Sequence, residues 1–283
     1  MLDLAFLRAH RELVARAAEQ KNVAVDLDAL LALDGDVRSA KTEIDRLRAE
    51  RNAISAGFKS AAPQEKAELG RRAKEAGAAA SALEADIADK EAALREGLLR
   101  LPNIPYEGAP VGPDENSNVV VRTEGRVPDF GFTPRDHVEL VEMNGWADLS
   151  RIVQVSGSRQ YCLKGRLAIL ETMLMSWALQ KIAAAGFTPI TVPALVREEA
   201  FVRQGQFPGH KEETYQLPND DLWLAGTAEV ALTSLHSGEI LDLSAGPVLY
   251  AGFSPCFRRE AGSAGRDVRG LLRVHQFMKV EKF

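Results

Sequence analysis

An α+β protein in two parts is what this sequence predicts: a long antiparallel two-helix coiled-coil arm, then a domain on a mainly antiparallel sheet. Three observations carry that prediction. Apolar residues step by three and four along two long stretches. A proline-rich segment, "LPNIPYEGAPVGPDENSN" at 101–118, interrupts the chain. Beyond it the spacing changes to short runs divided by turns.

Residues 3–20 place Leu4, Leu7, Val14 and Ala18 near one face, which predicts a single amphipathic helix. From Leu30 the seam runs through Leu33, Val37, Ala40, Ile44, Leu47 and Ile54, with Arg51 as its one polar position. Gly57 and Pro63 break it. A second seam follows through Leu69, Ala73, Ala76, Ala80, Leu83, Ile87, Lys90 and Leu94. Two arms of similar length with one short connection predict a hairpin over about 27–100, and the alanines let its helices approach closely. A parallel coiled coil between two chains is the weaker alternative, since each helix already has a partner attached.

After the linker, "VVVRT" predicts a short strand and "DHVELVEMNGW" a short helix ending near Gly145. Residues 164–185 predict a helix stopped at Gly186. Strands are expected in "FTPITVPALV", "TYQLPNDDLWLAG", "PVLYAGFSPCFRRE" and "GLLRVHQFMKVEKF". The boundaries that follow are 1–104 for the arm, 105–118 for the linker and 119–283 for the sheet domain.

Composition narrows the function classes. With 46% apolar residues a sizeable core is available, and a net charge of −5 excludes a polycation, so any nucleic-acid contact needs a local basic patch. Cys162 and Cys256 stand far apart without metal-ligand spacing, which suits a reducing cytoplasm. The charged N-terminus does not read as a leader, and no uninterrupted apolar run reaches the length of a bilayer span, so no membrane partner is expected. His210, His236 and His275 lack zinc spacing, and there is neither a Walker loop nor a GxGxxG turn.

Three stretches could carry chemistry. In the first, "LYAGFSPCFRRE", a glycine-punctuated loop and "LLRVHQFMKVE" predict a hairpin with Arg258 and Glu260 on one face. Alternation places Leu271, Arg273, His275, Phe277, Lys279 and Glu281 together on the second strand. A ring among basic side chains suits a flat heterocycle bearing phosphates; a hairpin with surface ion pairs explains the same residues equally well. In the second, "LAGTAEVALTSLHSGEI", Thr227 and Glu229 precede a helix beginning near Ala228. Helix capping accounts for them, and a carboxylate beside a hydroxyl could instead hold a small amine or alcohol. The third, "AAAGFTPITVPALV", reads only as a helix-to-strand turn.

These stretches, in this order and behind this hairpin, resemble the bacterial seryl-tRNA synthetases, a family of class II aminoacyl-tRNA synthetases. "GFTPITVP" resembles class II motif 1, with Gly186 and Pro193 in place. "GTAEV" resembles the amino-acid-binding TAE motif. "FRREAGSAGRDVRGLLRVHQFMKVE" resembles the seryl form of motif 2 at Arg258, Glu260, Arg269, His275, Gln276, Phe277 and Glu281. "VSGSRQY" at 155–161 also matches a stretch typical of the family.

The resemblance implies a serine-tRNA ligase that activates serine with ATP and Mg²⁺ and transfers it to tRNA(Ser), with tRNA(Sec) as an alternative acceptor. It implies a cytoplasmic homodimer. Arg258 would be the catalytic residue, binding the α-phosphate and the serine carboxylate. Arg259 and Glu260 would contact ATP, with Val274 and Phe277 lining the adenine site. Thr227, Ala228, Glu229 and Glu281 would bind serine. Arg266 and Arg269 would lie near ATP or the tRNA acceptor end. The arm would grip the long variable arm of the tRNA by shape. Between Arg38 and Lys74 ten Lys/Arg stand against five Asp/Glu, a net +5, and Lys41, Arg46, Arg48, Arg51, Arg71 and Arg72 are the candidates as a group. The family continues past the last residue here, through motif 3 and further sheet strands. The expectation is therefore a catalytic domain incomplete at its C-terminus, with a truncated non-catalytic tRNA-binding paralogue or half of a split synthetase as alternatives.

Overall fold

The structure is a computed structural model and describes residues 2–58, 62–261 and 270–283. It divides into two compact units, Met1–Glu124 and Gly125–Phe283.

The first unit is helical. The N-terminal stretch forms two helices rather than one, α1 (Leu4–Ala9) and α2 (Arg11–Gln20). Asp3 caps α1 by accepting from Ala5 N and Phe6 N. His10, at φ −130° and ψ 39°, leaves the helical region and breaks the run. The predicted hairpin is present as α3 (Leu27–Gly57) and α4 (Pro63–Leu99). Val37, Ile44 and Leu47 of the first seam are buried, as are Ala76, Ala80, Ile87 and Leu94 of the second. At its base Leu27, Val37, Leu94 and Leu98 join Leu7 and Val14 in one cluster. Asp34, only 3% exposed, is held there by Arg8 at 2.7 Å and Arg38 at 3.6 Å. A buried carboxylate requires such partners, because its lost hydration must be replaced.

The expected strand "VVVRT" is absent: residues 119–123 are irregular, and Val121 is 96% exposed. A β-branched run becomes a strand only when a neighbouring strand pairs with it, and none of the described residues does so.

In the second unit α5 (His137–Met143), α6 (Leu149–Ser156) and α7 (Arg166–Ala184) precede the first strand. The sequence then gives β1 (Thr188–Thr191), β2 (Leu195–Val196), α8 (Glu198–Gln204), β3 (Tyr215–Leu217) and β4 (Leu222–Leu224). It closes with α9 (Glu229–Leu235), β5 (Tyr250–Phe257) and β6 (Gln276–Lys282). The larger sheet has the order β1-β5-β6, and a small antiparallel sheet has the order β2-β4-β3. The larger sheet is mixed, because β1 runs parallel to β5 while β5 and β6 are antiparallel. The long crossover through α8, the small sheet and α9 is what permits a parallel neighbour.

Phe201, Phe207, Trp223 and Val230 form the core between α8, the small sheet and α9. Gly252 brings α9 down onto β5: a Cβ there would stand 3.0 Å from both the Ala228 Cβ and the Leu232 Cδ1. The turn before α9 is thereby fixed against β5 and β6. By length and composition α7 alone among the described helices could cross a bilayer. In this fold one flank packs on the sheet, and Glu171 within it accepts from the Tyr161 hydroxyl at 2.8 Å. Its other flank exposes Ile169, Leu170, Met173, Leu174 and Trp177.

Candidate functional site

The ends of β5 and β6 build one wall of the site. In β6 the alternation places Phe277, Lys279 and Glu281 on one face, whereas Leu271 and Arg273 precede the strand. The pairing extends one step past β5, where Arg258 N donates to His275 O at 2.9 Å. The Arg258 guanidinium lies 5.2 Å from the centre of the Phe277 ring and donates to Gly226 O at 3.4 Å. No carboxylate among the described residues pairs with it. Gly226 allows the chain to pass that close, since a Cβ there would meet the Arg258 Cγ at 3.3 Å.

Arg258, Glu260, Arg273 and Thr227 line a cleft of about 650 Å³ together with Gln206 and His210 from the segment after α8. Glu260 is paired with Arg273 at 2.9 Å. Arg259 turns elsewhere, its guanidinium over the Tyr215 ring and its N–H donated to Glu213 O. Its side chain is thus directed away from that of Arg258, which stands over Phe277. Val274 is buried and is not among the residues that line the cleft.

The second motif enters through Thr227. Helix α9 begins at Glu229 with Ala228 as its cap and without a side-chain cap bond. The Thr227 hydroxyl donates to Glu281, at 2.7 and 2.8 Å from its two oxygens, and accepts from Glu229 N at 3.4 Å. It thus holds the first N–H of α9 and also reaches a carboxylate 54 residues away along the chain. Lys279 Nζ adds a 2.9 Å bond to Thr227 Oγ1 and a 2.5 Å ion pair to Glu281. Burial pushes the Glu281 carboxyl up, but the Lys279 ammonium and the Thr227 hydroxyl outweigh it and hold the group below the usual glutamate value. The neighbouring Cys256 thiol is pushed up by burial.

Three residues to which sequence reading assigned no site role support this wall. Arg159, in "VSGSRQY", donates to Glu260 O at 2.9 Å and accepts from His275 N at 3.0 Å. His137 accepts from Leu271 N at 3.2 Å. Lys279 bridges the two motifs. A family-typical stretch was the only sequence signal for Arg159; the other two depend on contacts across the fold. Arg266 and Arg269 lie outside the described residues.

On the arm, five of the six candidate cations are already paired. Lys41 meets Glu91, Arg48 meets Glu84 and Arg72 meets Glu50 across the hairpin. Arg46 and Arg71 each hold two carboxylates of their own helix. Arg51 has only a 3.5 Å contact to Asn52 and no ion pair among the described residues. Its stem passes 3.6 Å from where a Cβ on Gly77 would stand. The expected unmatched basic surface is thus mostly a set of exchangeable pairs, because several carboxylates that pair with it come from outside the counted window.

Comparison with known proteins gives these motifs a context. Residues 1–105 match the seryl-tRNA synthetase N-terminal domain, and residues 213–283 match the class II tRNA synthetase core domain (G, H, P, S and T). The serine–tRNA ligase of Deinococcus radiodurans is 49% identical over the whole chain, which covers 67% of that protein. That of Mycobacterium tuberculosis is 45% identical, with 67% of it covered. Among solved structures, seryl-tRNA synthetase from Pyrococcus horikoshii complexed with ATP superposes with a TM-score of 0.86 at 36% identity, covering all of this chain and 69% of that one. A cytoplasmic serine–tRNA ligase from Naegleria fowleri in complex with AMP gives 0.79 at 26% identity, covering 96% and 62%.

Proposed function

Because the chain belongs to the seryl-tRNA synthetase family, spanning about two thirds of the length of the relatives it matches, we propose that it binds ATP and serine, forms seryl-adenylate and serves the charging of tRNA(Ser). The observation that carries this reading is the Arg258 guanidinium, without an acidic partner among the described residues, standing over the Phe277 ring beside the Thr227–Glu281 pair. An unmatched cation suits a phosphate or carboxylate, and a ring suits a base.

In the proposed step a serine carboxylate oxygen bonds to the α-phosphorus and the bond to the β-phosphate oxygen breaks, releasing pyrophosphate. No protein nucleophile takes part. Arg258 contributes by placing the two anions and by stabilising the charge that builds on the α-phosphate oxygens. Mg²⁺ would accompany the nucleotide; among the described residues no three acidic, thiol or imidazole groups converge to hold it, and no step is assigned to a protein-held ion. Glu281 and Thr227 would recognise the serine side chain, since a site built to bond a hydroxyl disfavours an analogue that lacks one.

The same reading makes the α3–α4 hairpin the tRNA contact, with Arg51 the most available cation. It makes the exposed flank of α7 a homodimer surface and places the protein in the cytoplasm. ATP–pyrophosphate exchange with serine, threonine and alanine tests the chemistry. In a version extended to the length of its relatives, exchange with serine that falls at least about a hundredfold in Arg258→Ala is expected. No exchange from that version, with tRNA(Ser) still bound, would sink the catalytic part and leave a tRNA-binding protein.

A further inference from the structure

Lys279 takes no part in the steps proposed above, yet it occupies the centre of the subsite they require. Its ammonium contacts Glu281 Oε2 at 2.5 Å and Thr227 Oγ1 at 2.9 Å. Glu281 also accepts from the Thr227 hydroxyl and, at 3.2 Å, from Glu229 N. The Glu281 side chain is 13% exposed and that of Lys279 is 32% exposed. Lys279 can reach both partners because residues two apart on β6 share a face, while Gly252 brings Thr227 and α9 onto that face.

Charge decides what such a cluster can receive. An isolated, poorly hydrated carboxylate attracts any cation, and a ligand ammonium most of all. Glu281 already has its charge matched by an internal ammonium, so a second ammonium gains little there and is repelled by the first. A neutral hydroxyl is not repelled. It can donate to a carboxylate whose position is fixed and can accept from the Lys279 ammonium. Glu229 differs: its carboxylate has no bonded partner among the described residues, so it stays available to a positive group.

We propose that Lys279 is a positioning residue that sets specificity at this subsite: by matching the charge of Glu281 and fixing its oxygens, it makes the subsite accept a hydroxyl-bearing side chain and refuse a cationic one. This rests on the reading of the cleft as an amino-acid site. It adds to that reading a determinant that does not itself carry reacting atoms.

The test uses the full chain as wild type, Lys279→Met, Lys279→Gln and Lys279→Arg. Binding of serine and of 2,3-diaminopropionate, which carries an ammonium in place of the hydroxyl, is measured by calorimetry at pH 6 and pH 8. The Glu281 carboxyl is titrated in parallel by carbon NMR. The groups facing it are Lys279 on its own strand, Thr227 and Glu229 at the start of α9, and the Cys256 thiol on β5. The expected result for Lys279→Met and Lys279→Gln is a loss of about tenfold in serine affinity, the size of one charge-assisted bond. Their preference should shift toward the diamino acid by a similar factor, with a raised Glu281 titration and serine binding that weakens as pH falls. Lys279→Arg should restore the wild-type preference. A wild-type ratio of the two ligands in Lys279→Met and Lys279→Gln would overturn the proposal, because a merely structural lysine would change both affinities alike. If wild type binds neither ligand, the serine reading fails separately, and the titration still decides: an unmoved Glu281 overturns the coupling and a raised one upholds it.

Discussion

Glu281 shows at the residue scale how folding changes what a side chain can do. It is a common glutamate in the sequence, and the fold surrounds it with an ammonium, a hydroxyl and a backbone N–H. Those partners favour the ionised form, so its pKa lies below the unfolded value of about 4.3. A depressed carboxyl stabilises the folded state fully above the unfolded pKa and loses that contribution as pH falls through the folded one. Urea denaturation of the wild type between pH 7 and pH 3 should therefore show stability declining below about pH 4.5, and Glu281→Gln should flatten part of that decline. An identical acid limb in both proteins would remove Glu281 from the account. Arg258 stands nearby in the opposite condition, as a cation without a carboxylate partner among the described residues, which is why the proposed chemistry turns on it. Its identity as an arginine was legible in the sequence, but its lack of an acidic partner was not, because Glu260, two residues away, pairs with Arg273 instead.

Among the elements, the hairpin was the most legible, whereas for α7 the extent was legible and the surroundings were not. A heptad seam is a local pattern, and its buried positions in α3 and α4 follow the predicted ones closely. The exception, Arg51, is an exposed position whose stem passes beside Gly77 of α4. For α7 the predicted extent is right, but apolar residues occur all round the helix. One flank packs on the sheet; the other leaves Met173 63% and Trp177 58% exposed. An apolar patch of that kind on a folded surface marks an interface. Sedimentation of the wild type should give a dimer, and Trp177→Glu a monomer with unchanged helix content, because a carboxylate placed in an apolar interface loses hydration without gaining a partner. A monomeric wild type would remove α7 as a dimer surface.

For the molecule as a whole, charge distribution governs the proposed encounter with tRNA. Exposed ion pairs such as Arg48–Glu84 contribute about 0–1 kcal/mol each, so phosphates can exchange into them at little cost. A cation without such a pair needs no exchange. Filter binding of tRNA(Ser) between about 50 and 200 mM salt should show affinity falling log-linearly, by about 0.7–0.9 log units per phosphate contact for each tenfold rise in salt. Arg51→Ala should reduce that slope more than Arg46→Ala, whose side chain is shared with Glu43 and Glu50. Equal slopes in both variants would remove the distinction. The helical arm, the strand-rich second half and the motif residues were all readable along the chain, because periodicity, turn residues and short motifs are properties of neighbours in it. Sequence reading misplaced one strand at 119–123, and it joined α1 to α2 across His10. What came from the fold is that β1 runs parallel to β5, that Thr227 bonds Glu281 as well as the first N–H of α9, and that Lys279 joins that pair. Each of these is a contact between residues far apart in the chain. Such contacts form because packing has already brought the elements together, and no local pattern encodes them.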